Sequence, residues 1–350
     1  MHVVIVGASG NVGTSVLEAF AGEGAVTSML GVARRLPALE FERTEWAAAD
    51  IGRDDLVPLF RGADAVVHLA WAIQPSRDLE RLRQTNVVGS ERVFRAVADA
   101  GVPVLLYASS VGTYSPGPKD RRVDETWPTD GVPTSFYSVH KAEVERLLDR
   151  FERESPAVRV VRLRPGLIFK REAASGIRRL FAGPFFPSPL VRGGRVPLIP
   201  DIDGLCFQAV HTHDVGNAFR LALVGEARGA FNIAAEPVLD PPTLARILQG
   251  RLVPLSPRVA RLAADASWKL HVQPSPPGWV DLGLSVPLMD SSRAATELGW
   301  VPRWGADEAL RQLVEGMGEA AGIDTPPLAR ESGGPARLRE LLTGVGRSDP

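Results

Sequence analysis

The sequence predicts a doubly wound α/β chain: a parallel sheet covered by helices on both faces, with a smaller C-terminal region. Three observations point there. The apolar runs of the first 165 residues are apolar throughout rather than alternating, as in strands buried on both faces. Helical patterns separate several of them, notably 80–100 and 137–153. The first run passes directly into a glycine-rich turn and then a helical pattern, "VVIVGASGNVGTSVLEAF".

The strands expected in order are 2–8, 26–33, 46–50, 63–70, 102–110 and 158–164. From about residue 166 the texture changes. Residues 181–200 are dense in proline, glycine and aromatics, which suits a binding loop and excludes a long helix. A strand end running into a helix is expected over 206–223, a strand over 229–235, and helices over 241–250 and 291–300. The polar end, broken by Gly and Pro, is expected to be mobile apart from one short helix at 336–343. The expected division is therefore a dinucleotide-binding domain of 1–165 plus about 208–235, a substrate-binding region of 166–207 and 236–320, and a tail of 321–350.

Bulk properties exclude several function classes. The chain has 350 residues, of which 45% are hydrophobic and 23% charged, a globular balance. A net charge of -1 argues against nucleic acid or an anionic membrane as partner. One cysteine, Cys206, excludes an internal disulfide framework and a cysteine-rich zinc site, and suits a reducing compartment. No apolar run has the length of a membrane span, and "MHVVIVGASG" lacks the layout of a signal peptide. The expectation is a cytoplasmic, essentially full-length chain.

The glycine turn carries the first chemistry. Gly7, Gly10 and Gly13 fall at G-x-x-G-x-x-G spacing, with Ser9, Asn11 and Val12 between them. Such glycines permit a tight turn and close backbone approach to a pyrophosphate, and the following helix supplies free N–H groups and the positive end of its dipole. The expected reading is a Rossmann-type dinucleotide site, the plain alternative a purely structural turn. An NAD site usually ends its second strand with an acidic residue for the ribose 2′-OH. Here the strand ends "GVARRLP", with Arg34 and Arg35. Arginine's planar fork matches phosphate, so NADP is expected over NAD.

"YSVHK" places Tyr137 and Lys141 four positions apart, on one helix face. An ammonium there favours phenolate and is expected to draw the tyrosine pKa down. The plain alternative is a partly buried tyrosine beside a solvated lysine.

Taken together, the motifs resemble the extended short-chain dehydrogenases/reductases, the NAD-dependent epimerase/dehydratase family. The resemblance spans about residues 1–310, through "GASGNVG", "AADI", "VVHLAW", "TNVVGSERVFRAV", "YASSVGTYS", "YSVHK", "RLRPGLIF", "AVHTHDVGNAF", "FNIAAE" and "ELGWVPRW" in that order. It implies that Tyr137 is the general acid/base. It implies that Lys141 holds the nicotinamide ribose and lowers the tyrosine pKa. Ser110 would hydrogen-bond the substrate oxygen, with Ser109 the adjacent alternative, and Asn86 would complete the tetrad through a water. Asp50 and Ile51 match positions near the adenine, and Leu69 and Ala70 the strand passing the cofactor. Pro165 and Gly166 of "RPG" join the cofactor-binding set, and Val111 lies beside the pocket.

Within that family, sugar 4,6-dehydratases carry Thr-Asp-Glu where this chain has Ser110-Val111-Gly112, so water elimination lacks its acid and base. Nucleotide-sugar epimerases carry an asparagine where Leu167 stands and an arginine where Phe207 stands. Without them a diphosphate is poorly neutralised, unless Arg192 or Arg195 substitutes. Trp71, Phe136, Phe169, Phe185, Phe186 and Phe207 are candidates to wall an apolar pocket, with Trp71, Val111, Phe169 and Phe207 expected to touch substrate.

The resulting expectation is an NADPH-dependent reductase of a ketone or aldehyde on a small apolar metabolite, working as a homodimer through the 80–100 and 137–153 helices. The rivals are an NAD-dependent sugar epimerase and a non-catalytic NADP-binding sensor. "HTHD" (211–214) offers two histidines on one strand face but is assigned to the substrate cleft rather than to a metal. His140 is placed on the flank of the site. Cys206 has no basic neighbour in sequence that would activate it.

Overall fold

The computed structural model describes residues 1–73, 77–174, 176–177, 195–270, 275–319 and 321–329. The central sheet has seven strands, all parallel to their neighbours. Across the sheet they run Gly229–Ile233, Arg159–Pro165, Val104–Ala108, Ala65–His68, His2–Val6, Ser28–Ala33 and Thr44–Ala48. Strand order reverses at His2–Val6, which pairs with Ser28–Ala33 on one side and Ala65–His68 on the other. The crevice outside the carboxyl ends at such a switch point is where open α/β sheets bind ligands.

Alternation along each strand feeds two cores. Val3 and Ile5 face helices Asn11–Ala21 and Thr212–Val224, with Leu17, Phe219 and Trp300. Val4 and Val6 face helices Gly89–Asp99 and Phe136–Glu154, with Phe94, Tyr107 and Leu148. Burial on both faces is why these strands carry no polar alternation.

A second, three-stranded sheet holds Leu167–Phe169, Phe207–His211 and Ala235–Leu239, backed by helices Pro241–Leu248 and Ala306–Glu319. The chain passes from one sheet to the other within two residues, between Pro165 and Leu167. Gly166 makes this possible: a Cβ there would stand 2.5 Å from the Gln208 carbonyl oxygen.

Two expectations change. The 80–100 helix is broken into Leu79–Arg83, a π-turn at Gln84–Val88 and Gly89–Asp99. "HTHD" spans the expected strand-to-helix junction: His211 ends a strand and His213 lies in the first turn of a helix, which removes the shared strand face a metal pair would need. Residues 321–329 are not a loose tail, since Thr325 and Leu328 are buried. The expected helix at 336–343, Phe185, Phe186 and Arg192 lie outside the described residues. Among those described, no helix is long and apolar enough to cross a membrane.

Candidate active site

The glycine turn sits at the switch point. Gly7 has φ +89, and a Cβ there would stand 2.6 Å from the Ala70 backbone nitrogen. Only glycine lets the turn pass so close to the end of strand Ala65–His68. Leu69 donates its N–H to the Val6 carbonyl at 2.8 Å, locking this edge. A Cβ on Gly13 would overlap the Ala8 carbonyl oxygen. Gly10 is the N-cap of helix Asn11–Ala21 and offers no side-chain acceptor, so the first turn presents its N–H groups without a side-chain cap. Ser9 is buried in the turn, and Asn11 and Val12 open the helix.

The Tyr137 region is assembled from three segments. Ser135 caps helix Phe136–Glu154. Ser138 then ties that helix to the serine turn, donating to the Gly112 carbonyl at 2.5 Å and accepting from Val132 N at 2.6 Å. Ser110 accepts from Gly112 N at 3.0 Å, and its hydroxyl faces the Tyr137 phenol closely enough to oppose the rise in its pKa. Gly112 has no room for a Cβ, which would lie 2.8 Å from Tyr137 Cε1. The adjacent alternative, Ser109, is used otherwise: its hydroxyl donates to Glu145 Oε1 at 2.5 Å. The geometry therefore places Ser110, and not Ser109, on the tyrosine.

Lys141 is buried. Its ammonium donates to the Ala108 carbonyl at 2.7 Å and the Tyr107 hydroxyl at 3.3 Å, and lies 3.5 Å from the centre of the Trp71 ring. Burial pushes its pKa well below the usual lysine range, opposed by Glu145 one turn further along the helix. The expected fall in the Tyr137 pKa is not found. Burial pushes the phenol up to about 12, partly offset by the Ser110 hydroxyl. The two residues lie four apart on one helix, but the Lys141 ammonium is directed at Ala108, Tyr107 and Trp71, and burial sets the direction of the phenol shift.

Asn86 sits in the π-turn, fully buried. Both ends of its amide engage Ala72, accepting from its N–H at 2.7 Å and donating to its carbonyl at 3.1 Å. It thereby fixes the backbone beside Trp71. Trp71 packs edge-on to Tyr137 at 6.0 Å, and its buried Nε1 has no hydrogen-bond partner among the described residues. Trp279, which the sequence did not suggest, lies tilted against the same phenol at 5.1 Å. It arrives on helix Gly278–Ser285, which packs with Val111 and Val132. Phe136 packs edge-on to Trp279 and to His140, so His140 belongs to that flank.

Other expected residues fall elsewhere. Phe169 is buried in the core of the small sheet and Phe207 packs against it. The structure does not bring either onto Tyr137. Pro165 is buried at the end of its strand beside the pivot Gly166. Arg195 is exposed. His211 stacks on Trp304 at 4.4 Å, and its Nε2 meets Gln312 at 3.1 Å. Asp214 accepts from the Arg303 and Trp304 N–H groups, anchoring "WVPRW". Among the described residues no group of three or more His, Cys, Asp or Glu is arranged to hold a metal. Cys206 does have a basic neighbour, Lys119, whose ammonium binds the Cys206 carbonyl at 2.8 Å, yet burial still pushes the thiol pKa up.

At the far end of the crevice, Arg34 and Arg35 are exposed and line a cleft of about 370 Å³ with Asp50, Arg53, Asp54 and Arg81. Asp50 accepts from Gly52 N at 2.9 Å, and the Ile51 carbonyl accepts from Arg92 Nε at 2.9 Å. Arg53 and Arg81 are additions the sequence did not signal.

Comparison with known proteins supplies a family. The model of the NAD dependent epimerase/dehydratase family matches residues 3–178. An uncharacterized protein of Mycobacterium tuberculosis (strain ATCC 25618 / H37Rv) is 26% identical over 317 residues, 89% of this chain; the chain spans only 30% of that relative's length. The decarboxylating sterol-4-alpha-carboxylate 3-dehydrogenase of Saccharomyces cerevisiae is 29% identical over 181 residues, 52% of this chain and 46% of its own. The UDP-glucose 4-epimerase of Thermus thermophilus, solved with NAD, superposes with a TM-score of 0.67 at 20% identity, covering 91% of this chain and 99% of its own.

Proposed function

Because the chain belongs to the NAD-dependent epimerase/dehydratase family, we propose that it is an NADP-dependent oxidoreductase that reduces a carbonyl on a small, fairly apolar metabolite. The observation that carries this reading is the phenol of Tyr137, faced by the Ser110 hydroxyl and walled by the indoles of Trp71 and Trp279. Two flanking tryptophans favour an apolar partner over a sugar. The residue where an epimerase would carry a diphosphate-binding arginine is Phe207, which packs in the small core.

The glycine turn fits a dinucleotide. Gly7 and Gly13 have no room for a Cβ, and the uncapped N-terminus of helix Asn11–Ala21 suits a pyrophosphate. Gly10, Asn11 and Val12 would hold it, with Ala70 and Leu69 alongside, Asp50 and Ile51 near the adenine, and Arg34 and Arg35 at the 2′-phosphate. When bound, the nicotinamide supplies the hydride. Tyr137, protonated at neutral pH, donates its proton to the substrate oxygen, and Ser110 donates a hydrogen bond where negative charge develops. Lys141 supplies positive charge and donors toward the ribose, and Asn86 holds the backbone at Ala72 that positions Trp71.

A second reading, an NAD-dependent sugar epimerase, is favoured by the likeness in fold to the UDP-glucose 4-epimerase. Net redox change separates the two. A reductase consumes NADPH stoichiometrically with an aromatic aldehyde or ketone, whereas an epimerase returns its cofactor unchanged. Tyr137→Phe abolishes that consumption and leaves NADPH affinity within a few fold. Loss of NADPH binding in this variant would contradict the assignment. A non-catalytic sensor would not need Ser110, Tyr137 and Lys141 together. Homodimerisation belongs to the same proposal and is checked by light scattering.

A further inference from the structure

We propose that Arg81 is the third arm of the 2′-phosphate site, so that preference for NADP over NAD resides in arginines from two separate segments. The inference rests on the NADP reading above and adds a residue to it. Arg34 and Arg35 follow strand Ser28–Ala33, and Arg81, from the short helix Leu79–Arg83, lines the same cleft.

The charge distribution asks for an anion. The cleft's two carboxylates are already engaged. Asp54 Oδ2 accepts from Asp50 N at 2.7 Å and Asp50 Oδ1 from Gly52 N at 2.9 Å, while Arg53 lies 3.9 Å from Asp50 and 3.6 Å from Asp54. Among the described residues, Arg34, Arg35 and Arg81 form no ion pair. Three guanidiniums bordering one cleft repel one another until an anion enters, and a phosphate monoester accepts several forked donors at once. A bare 2′-hydroxyl relieves none of that repulsion.

Arg81 is also held in place by groups other than its own head. Asp78 Oδ1 accepts from Arg81 N at 2.9 Å, capping the turn. Two residues on, Arg83 pairs with Glu143 of helix Phe136–Glu154. Arg92 ties the cleft floor, donating to the Ile51 carbonyl at 2.9 Å and the Asp54 carbonyl at 2.6 Å. The backbone of Arg81 is thus anchored while its guanidinium stays available.

The test is calorimetric titration of the wild type, Arg81→Gln and Arg81→Lys with NADPH and NADH, and with the fragments 2′,5′-ADP and 5′-AMP. The expected result is NADPH at least about tenfold tighter than NADH in the wild type. Arg81→Gln then weakens NADPH and 2′,5′-ADP about tenfold, leaves NADH and 5′-AMP within about twofold, and Arg81→Lys recovers part of the loss. A variant that keeps the full NADPH preference overturns the assignment of Arg81 while leaving the NADP reading intact. Equal loss for both cofactors overturns it as well, since Arg81 would then be holding the turn. A wild type that binds NADH as tightly as NADPH defeats the NADP reading itself.

Discussion

Replacing Glu145 by glutamine tests the charge network beneath the site. Glu145 is one turn past Lys141 and two past Tyr137, on the same helix face. Its carboxylate, 1% exposed, binds Arg162 Nη1 at 2.8 Å, Arg164 Nη2 at 2.9 Å and the Ser109 hydroxyl at 2.5 Å. Burial alone would raise its pKa; Arg164, Arg162 and Ser109 outweigh burial and hold it at about 2, against 4.5 unperturbed. That difference corresponds to about 3 kcal/mol of native stability at neutral pH. Because the native pKa is the lower one, this contribution is complete above pH 4.5 and is lost as pH falls toward 2.

In Glu145→Gln, Arg162 retains Asp149 and Glu152, but Arg164 keeps only the Tyr114 hydroxyl and the Glu125 carbonyl. A buried guanidinium stripped of its counter-charge costs several kcal/mol, so a loss of about 3 kcal/mol is expected. The assay is urea unfolding at pH 7 followed by circular dichroism, with Glu152→Gln as control. Glu152 is 34% exposed, and its loss is expected to cost less than about 1 kcal/mol. A loss below about 1 kcal/mol in Glu145→Gln would refute the reasoning, as would a wild-type acid limb between pH 4.5 and 2 that the substitution leaves unchanged.

Three further outcomes follow from the same geometry. All three tyrosines, 107, 114 and 137, have pKa values raised chiefly by burial, to about 12 for Tyr114 and Tyr137. Absorbance at 295 nm should therefore show little tyrosinate at pH 10.5, and a half-ionised chain at that pH refutes this. Burial, with the charge of Lys141, pushes the His68 pKa down to about 3, and burial with His213 pushes His211 down to about 4. Both sit below the unperturbed 6.5 in the folded state. Their contribution is complete above pH 6.5 and declines as pH falls, so the urea midpoint should drop between pH 7 and 5, and His68→Gln should flatten that drop. Gly13→Ala, meeting backbone at Ala8, should abolish dinucleotide binding in calorimetry, whereas Gly10→Ala, whose Cβ meets Gly7 O at 3.3 Å, should weaken it less. The reverse order would sink the account of the turn.

The inner strands of the seven-stranded sheet, such as His2–Val6 and Ala65–His68, were legible because they are buried on both faces and apolar, whereas the edge strand Thr44–Ala48 is partly exposed. Of the smaller region, Phe207–His211 was expected, but others were not. Leu198–Asp201 and Arg251–Pro254 pair with each other as short, largely exposed segments, each containing a proline, and leave no pattern in sequence. The π-turn within 80–100 was hidden for a different reason. Its cause is tertiary: the Asn86 amide closes on Ala72, and a helical periodicity looks the same with or without that extra residue.

The same distinction runs through the site. Tyr137 and Lys141 are local, four positions apart on one helix, but spacing alone left a surface pair as the alternative, and only the order of the motifs along the chain singled them out. The direction of the Tyr137 pKa is not local, because it depends on what covers the phenol. One cover, Trp279, is far along the chain and reaches the site because Gly278 passes against the Thr134 carbonyl, where a Cβ would overlap. Gly278 is therefore the residue that seats the neighbouring Trp279 in the aromatic wall. A Cβ there would push helix Gly278–Ser285 off the segment Val132–Ser135, opening the face of Tyr137 to water. By the same argument that raised it, the phenol pKa would then fall back toward 10.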